Sequence, residues 1–286
     1  MKKIVCLACF TIVALLGTIA YQWITFNDGK LHVIFCSVGQ GDAILIKTPD
    51  SNYLLVDGGP DKLVLDCLSR HMPFWERTLS LVLLTHPHAD HFMGMYYLLE
   101  RYSLTIFVTE KLSNKTPAFT EFIRLVGEHH IPKRFVEMED EWKIGNLHLM
   151  IVGPTDSFLT QTSPGGTIGE SGEFASLIIH LSYGSFDLLL TGDSQARELT
   201  EAADRIGKTI DVLQSPHHGS ATGIDEQVLT QLSPKLAVIS VGKNRYGHPT
   251  KFVLDLYKDH GIKYFRTDRG GDVEIVSDGN RWWVAR

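Results

Sequence analysis

The stretch Thr85-His86-Pro87-His88-Ala89-Asp90-His91 places three histidines and an aspartate within six residues, directly after the apolar run Leu79–Leu84. Such an apolar run predicts a buried strand, and the polar residues after it lie in the loop at its end. Imidazole and carboxylate groups bind Zn, Mn and Fe, and a loop of this kind can turn several of them toward one point. His86 and His88 are expected to face one metal ion. Asp90 and His91, which open the next helix, are expected to face a second.

Two later loops offer further metal ligands. The apolar run Leu188–Leu190 ends in Thr191-Gly192-Asp193, which places Asp193 where it can bridge two metals. Ser215-Pro216-His217-His218-Gly219-Ser220 follows another predicted strand and supplies two adjacent histidines. Neighbouring histidines do not readily face one metal, so we interpret one of them as a ligand and the other as a contact to substrate or to a ligand. The three loops together predict a site for two divalent ions, Zn or Mn.

The order of these motifs resembles the metallo-β-lactamase superfamily. More narrowly, Val38–Ala43, Val56–Gly59 and Asn244–Pro249 resemble the β-lactamase-like domain of ComEC-type DNA-internalisation competence proteins, and Arg266–Asp268 with Gly270-Gly271 matches the closing motif of that domain. The resemblance covers about Leu31 to Val276. It implies an α/β, four-layer αββα sandwich and a metal-dependent hydrolase, with phosphodiester or DNA cleavage as the activity of this branch.

The chain departs from the superfamily at the third histidine that other members place on the first metal. Four histidines lie between the first loop and Asp193, and we interpret all of them as ordinary helix or strand residues: His129, His130, His148 and His180. The ComEC-type branch has a small polar pattern instead, which Glu173-Phe174-Ala175-Ser176 matches. Competence proteins resemble this chain in one terminal domain, so a transport role is not expected to carry over.

The expected reaction is attack on phosphorus by a metal-activated hydroxide. Asp90 and Asp193 would orient that hydroxide as well as bind metal. His248 is a candidate to protonate the leaving oxygen, and Arg245 and Ser220 are candidates to hold phosphate oxygens.

Two aspartates are expected to support the ligands rather than to bind metal. Asp57 follows a predicted strand and is placed to hydrogen-bond a ligating histidine, and Asp42 is interpreted as a turn-stabilising group behind the ligands.

The amino terminus predicts a membrane helix. Lys2-Lys3 precede the apolar run Ile4–Ala20, and Tyr21 and Trp23 suit the outer membrane–water interface. We favour an uncleaved signal anchor over residues 1–26, with a cleaved signal peptide as the alternative. Residues 27–286 are then one exported hydrolase domain, single-pass at the cell membrane with the domain outside the cytoplasm, or secreted. The sequence points to no protein partner.

Charge and cysteine content narrow the possibilities further. The chain has 27 Lys and Arg against 33 Asp and Glu, a net charge of −6, which argues against a protein that coats nucleic acid through bulk positive charge. Phosphodiester substrates, DNA among them, stay open. Cys36 and Cys67 are interpreted as isolated buried thiols, with a disulfide as the alternative.

The remaining residues predict an alternation of strands and helices. Pro154–Gly172, rich in Gly, Ser and Thr, predicts a long loop and a possible flap over the site. The longer helices are expected at Leu63–His71, Phe92–Arg101, Ala118–His129, Gln195–Ile206, Ile224–Leu232 and Thr250–His260.

Two other functions compete with the phosphodiesterase. Hydrolysis of a lactone, thioester or β-lactam is disfavoured because the third histidine is missing. A membrane-tethered binding module without catalysis is disfavoured because the set of metal-binding residues is intact.

Overall fold

Most of the described strands lie in two large sheets that pack face to face, and two short strands form a small separate sheet. The computed structural model describes residues 2–168 and 175–285. The described strands are β1 Leu31–Phe35, β2 Ile44–Lys47, β3 Tyr53–Val56, β4 Thr78–Leu79, β5 Leu81–Leu84, β6 Ser103–Leu104, β7 Phe107–Thr109, β8 Lys133–Phe135, β9 Glu141–Ile144, β10 Leu147–Gly153, β11 Ile178–Tyr183, β12 Phe186–Leu190, β13 Val212–Gln214, β14 Leu236–Ile239, β15 Lys263–Arg266, β16 Val273–Ser277 and β17 Trp282–Ala285.

Helices cover the outer faces of both sheets. The described helices are α1 Lys2–Phe26, α2 Leu63–His71, α3 Ala89–Phe92, α4 Met95–Leu99, α5 Pro117–Glu128, α6 Asp156–Thr162, α7 Ala196–Ile206, α8 Glu226–Leu232, α9 Lys251–Asp259 and α10 Thr267–Gly270.

The first sheet has the strand order β17-β16-β1-β2-β3-β5-β7-β8, and the second has the order β15-β14-β13-β12-β11-β10-β9. One apolar cluster fills the space between the sheets, and a separate cluster lies under the helices on each outer face. Strand β5 contributes to both kinds of cluster, because Leu81 and Leu83 face the other sheet while Val82 and Leu84 face the helices. A strand buried on both faces is apolar throughout. The predicted four-layer αββα sandwich is confirmed.

The metal-binding motifs follow parallel strands. Strand β5 pairs in parallel with β3 and β7, and β12, β13 and β14 pair in parallel with one another. The loops after β5, β12 and β13 carry His86, Asp193 and His217 respectively. The carboxyl ends of parallel strands lie on one edge of each sheet, and the 3.7 Å contact between His86 and Asp193 shows that these edges meet at the same end of the sandwich.

The predicted helix Phe92–Arg101 is wrong, because the structure has two short helices, α3 and α4, divided at Gly94. The backbone of Gly94 packs so closely on Gly58 that an added Cβ would lie 1.9 Å from the Gly58 carbonyl oxygen. This contact lets Gly58 N–H bond to the His91 carbonyl at 2.6 Å, which fixes the start of the histidine-bearing helix to the loop after β3.

The prediction of a long loop over Pro154–Gly172 is also wrong in part, because residues Asp156–Thr162 are helical. Helix α6 forms there because the Thr155 hydroxyl accepts a hydrogen bond from Phe158 N–H at its start and Phe158 is fully buried. A cap and a buried aromatic ring outweigh the polar composition. Residues 169–174 lie outside the described residues, so the predicted flap is not tested over that part, and neither are the positions of Glu173 and Phe174.

Cys36 and Cys67 form a disulfide, contrary to the interpretation as isolated thiols. Cys36 follows β1 and Cys67 lies on the inner face of α2, and the two Cα atoms are 5.7 Å apart. Both side chains are fully buried. The packing of α2 on the first sheet therefore brings together two residues that are 31 positions apart in the sequence.

Helix α1 precedes the sandwich. Its segment Lys3–Phe26 is long and apolar enough to cross a membrane, and the described side chains in it are almost all exposed to the surroundings. It is a candidate membrane span, as predicted from the sequence.

Candidate metal centre

The first histidine loop points two imidazoles at one place. The Nε2 atom of His86 lies 3.0 Å from the Nδ1 atom of His88. The Thr85 hydroxyl donates its proton to Asp57 at 2.7 Å, so at 3.1 Å from Nδ1 of His86 it accepts rather than donates. The proton of His86 therefore sits on Nδ1, and Nε2 keeps the lone pair that a metal needs.

Asp193 lies between two pairs of histidines. Its Oδ2 atom is 3.7 Å from Nε2 of His86 and 3.5 Å from Nε2 of His217. Its Oδ1 atom is 3.4 Å from the Nε2 atoms of both His91 and His218. The two oxygens of one carboxylate thus face different donor groups, which is the geometry of a bridging ligand.

The paired histidines diverge because of their backbone. His217 and His218 both have left-handed conformations, with φ of 49° and 56°. Residues other than glycine rarely adopt this region, and it costs about 1–2 kcal/mol for each of them. The consequence is that the two adjacent rings approach different oxygens of Asp193. His218 is fixed further by its Nδ1, which lies 3.0 Å from the Ser240 carbonyl and donates to it, so that Nε2 is left to bind metal.

These contacts gather the predicted ligands into two clusters that share Asp193. Within each cluster the ligand atoms lie within 4.8 Å of one another. The first cluster contains His86, His88 and Asp193, and the second contains Asp90, His91, Asp193 and His218. His217 stands beside the first cluster, where its Nε2 atom lies 3.5 Å from Asp193 Oδ2.

Buried atoms in the second cluster show that the site fits a cation. Among the described residues, Nε2 of His91, Nε2 of His218 and Oδ1 of Asp193 are buried without a hydrogen-bond partner. Both nitrogens lie 3.4 Å from that oxygen, so their contacts are long ion pairs rather than hydrogen bonds, and a metal ligated by all three atoms would satisfy them. A divalent ion bound by nitrogen and oxygen atoms, such as Zn or Mn, satisfies all three.

Burial and charge set different protonation states on the two sides of Asp193. Burial lowers the pKa of His86, and the nearby His91 lowers it further, so the His86 ring is neutral. Burial also opposes a charge on His91, but the carboxylates of Asp193 and Asp57 outweigh it and hold the pKa of His91 well above its ordinary value. A metal ion competes with the proton on His91, so metal binding at the second cluster is favoured by higher pH.

Asp57 orients His91. Its Oδ2 atom lies 2.7 Å from Nδ1 of His91, and its Oδ1 atom accepts a hydrogen bond from Thr85 N–H at 2.8 Å. The carboxylate fixes the ring so that Nε2 points to Asp193, as expected for a group behind a ligand.

Asp42 supports the Asp193 turn indirectly, through Gln214. Its Oδ2 atom accepts a 2.7 Å hydrogen bond from Gln214 Nε2, and the side-chain oxygen Oε1 of Gln214 accepts from the backbone N–H groups of Thr191 and Gly192. Asp42 and Gln214 therefore hold the turn that presents Asp193. Sequence reasoning missed Gln214, and the only signal was a polar residue at the end of an apolar strand.

Ser176 supports the first cluster from the opposite side. Its hydroxyl accepts from Asp193 N–H at 3.2 Å and lies 3.3 Å from Nδ1 of His86. An added Cβ on Gly192 would lie 2.3 Å from the Ser176 hydroxyl, so the Asp193 turn needs glycine at this close approach. Ser176 belongs to the small polar pattern predicted to stand in place of the third histidine, but its role as a brace between His86 and Asp193 appears only in the folded chain.

A cleft of about 310 Å³ opens over the two clusters. His248 lines it, and its ring centroid is 5.6 Å from that of His217. Arg245 lines an adjoining cleft of about 640 Å³ rather than the one above the ligands. Ser220 lines neither cleft, and its hydroxyl lies 3.1 Å from that of Thr222, so the structure does not bring this predicted phosphate contact to the site.

The four histidines between the first loop and Asp193 lie away from the metal centre. His180 pairs with Asp187 on the second sheet, and His148 pairs with Glu141. His129 and His130 are exposed after α5. Their interpretation as ordinary helix and strand residues agrees with these positions.

Sequence comparison identifies relatives of this chain among known proteins. Relatives include ComE operon protein 3 of Bacillus subtilis, 27% identical over 270 residues, and Exodeoxyribonuclease YycJ of Bacillus anthracis, 29% identical over 118 residues. These matches cover 87% and 39% of this chain and 33% and 44% of the relatives. The chain thus spans about a third of the length of the competence relative, and the resemblance to ComEC-type proteins is confirmed over that part.

A solved structure shows the same fold. The metallo-beta-lactamase fold protein YhfI of Bacillus subtilis superposes with a TM-score of 0.59 at 15% identity, over 85% of this chain and 99% of that one. The family model of the metallo-beta-lactamase superfamily matches residues 36–243, most of the chain. This match and the geometry of the metal-binding loops lead to one conclusion: the chain belongs to the metallo-beta-lactamase superfamily.

Proposed function

We propose that this metal-dependent hydrolase is a phosphodiesterase with two metal ions, and that its substrate is DNA. The observation that carries the proposal is Asp193, whose two oxygens face separate donor clusters beneath one cleft. Two-metal sites suit in-line displacement at phosphorus because they neutralise both the attacking and the leaving oxygen. The names of the relatives, a competence protein and an exodeoxyribonuclease, support the substrate class.

Several residues of the chain have separate roles in the proposed reaction. His86, His88 and Asp193 would hold one divalent ion and Asp90, His91, Asp193 and His218 a second, which would supply Lewis acidity. Asp193 and Asp90 fix the position and charge of the site, and Asp57 keeps the His91 ring in place. His248 lines the cleft, with its Nδ1 buried and without a hydrogen-bond partner among the described residues. It is placed to hold the proton that the leaving oxygen takes up.

The test uses the full chain in detergent with added Mn or Zn. We expect about two metals per chain by elemental analysis, and hydrolysis of bis(p-nitrophenyl) phosphate and of single-stranded DNA. His88→Ala and Asp193→Ala should lose more than about a hundredfold in activity, since even groups behind the ligands are worth ten- to a hundredfold. His148→Ala, an exposed histidine away from the site, is the control. Metal-loaded protein that cleaves esters or lactams but no phosphodiester would overturn the proposal, and a chain that binds no metal would favour a binding module.

We further propose that α1 anchors the domain in a membrane and that the domain lies outside the cytoplasm. The buried Cys36–Cys67 disulfide supports this location, because structural disulfides persist in oxidising compartments. Proteinase K added to intact spheroplasts should degrade the domain. Protection of the domain until the membrane is lysed would place it in the cytoplasm instead.

A further inference from the structure

The loop between β14 and α9 exposes a large aromatic ring beside the metal centre. The Tyr246 side chain is 64% exposed, and Lys243 and Arg245 in the same loop are also exposed. The Arg245 guanidinium carbon lies 5.9 Å from the centroid of the Tyr246 ring. Single-strand-binding proteins combine exposed aromatic rings with cations in this way, because every base offers a face for stacking and every linkage carries a negative charge.

This loop is held rigidly although its side chains are exposed. The Asn244 amide donates to the carbonyls of Gly242 and His248 at 2.9 and 2.8 Å, and its oxygen accepts from the N–H groups of Tyr246 and His248 at 3.1 Å. Gly242 packs on the loop that contains Gly39, where an added Cβ would lie 2.3 Å from the Gly39 carbonyl carbon. Tyr246 is therefore presented on a fixed backbone, which reduces the entropy lost when a ligand binds.

The position of Tyr246 connects the two clefts. It lines the 310 Å³ cleft above the metal ligands and the 640 Å³ cleft that contains Lys243 and Arg245. Its ring centroid is 5.8 Å from that of His248, with 32° between the planes. A strand whose phosphodiester lies between Asp193 and His248 would place an adjoining nucleoside over Tyr246.

The charges of the larger cleft suit the same ligand. Within residues 2–168 and 175–285, neither Lys243 nor Arg245 forms an ion pair, so both cations are available to phosphate oxygens. Asp90 is the acidic residue among those that line this cleft, and it is a candidate metal ligand. The chain as a whole is negative, so these cations form a local attraction rather than part of a basic surface.

We propose that Tyr246 is a stacking site for the nucleobase next to the scissile phosphodiester, with Arg245 and Lys243 holding the neighbouring phosphate. This proposal rests on the proposed function, because it identifies the substrate as a single-stranded nucleic acid rather than a small phosphodiester. Base–aromatic stacking changes affinity by about tenfold or more for each base.

The test measures binding by fluorescence anisotropy. The full chain in detergent carries Asp193→Ala, so that the strand is not cut, and is titrated against labelled oligothymidylate and against an abasic strand of the same length. We expect the base-bearing strand to bind about tenfold more tightly. Tyr246→Ala should abolish the preference, and Tyr246→Trp should retain it.

The matched control is Phe135→Ala. Phe135 is also an exposed aromatic residue under a cation, with Lys133 Nζ 5.1 Å from its ring centroid, but it lies on edge strand β8 outside both clefts. This variant should keep the preference for bases.

The stacking site would be overturned if the chain with Asp193→Ala alone bound the two strands equally. It would also be overturned if the preference for the base-bearing strand survived when Tyr246→Ala was added. Hydrolysis of bis(p-nitrophenyl) phosphate by the chain without substitutions is measured separately. If no hydrolysis is found, the proposed phosphodiesterase activity is wrong, and the binding measurement still tests the stacking site independently.

Discussion

The carboxylate of Asp57 and the imidazole of His91 lie 2.7 Å apart, and both side chains are fully buried. Asp57 also accepts two hydrogen bonds from Thr85, the residue that begins the first histidine loop. One carboxylate thus ties the loop after β3 to the start of α3 and aims a metal-binding ring. The orientation of His91 therefore depends on Asp57, a residue that belongs to neither of the two clusters that share Asp193.

Asp57→Asn tests that relationship. The amide keeps the size of the side chain but loses the charge that favours the correct ring orientation, so we expect metal affinity or hydrolysis to fall by ten- to a hundredfold. The measurement is a titration of activity against metal concentration, with Asp66→Asn, an exposed aspartate on α2, as the control. An unchanged metal requirement would mean that Asp57 serves only the stability of the fold.

The divergent rings of His217 and His218 predict that each histidine holds a different metal. Elemental analysis of His217→Ala and of His218→Ala should each show about one metal where the unaltered chain holds about two. His129→Ala, at an exposed position after α5, should keep both. If either site variant retains the full complement, that histidine is not a ligand.

The disulfide predicts a large loss of stability on reduction. Closing a loop with a separation of 31 residues removes entropy from the unfolded chain that is worth about 3–4 kcal/mol. Cys36→Ser with Cys67→Ser should therefore lower Tm by roughly 10 °C. The control is Cys9→Ser, which removes an exposed free thiol from α1 and should leave Tm unchanged. Equal Tm values with and without reductant would show that the bond contributes little.

Asp272 makes part of the stability of the fold dependent on pH. Burial raises the pKa of its carboxyl, but hydrogen bonds from His71, from the backbone of Ser37 and from Arg70 outweigh it and lower the pKa to about 2. The folded-state pKa is below the unfolded value of 3.8, so the stabilisation is present above pH 4 and is lost as the pH falls toward 2.

Asp272→Asn should accordingly lower Tm by a few degrees at pH 7, and the difference from the unaltered chain should shrink between pH 4 and pH 2. Thermal unfolding followed by circular dichroism measures this, with the exposed Asp259→Asn as a control. A difference that stays constant with pH would assign the effect to lost packing rather than to charge.

Much of the fold follows from local patterns. The apolar runs that form β5 and β14 are short and uninterrupted because these strands are buried on both faces, and this pattern is visible without a structure. The division of Phe92–Arg101 at Gly94 was not predictable, since its cause is the approach of Gly58 from a different loop. Helix α6 was missed because Thr155 and Phe158 act through a cap and a buried contact that composition does not reveal.

The amino-acid sequence by itself determined the superfamily, the candidate ligands and the sites of chemistry, because these depend on which side chains follow which strands. Only the tertiary structure decided that His217 and His218 face different oxygens of Asp193, that Gln214 and Ser176 brace the turn before it, that Cys36 pairs with Cys67, and that Ser220 lies outside the clefts. The physical reason is the same in each case. A spacing along the chain fixes which residues are near a strand end, but the direction of a side chain depends on backbone dihedral angles and on partners that only packing brings within reach.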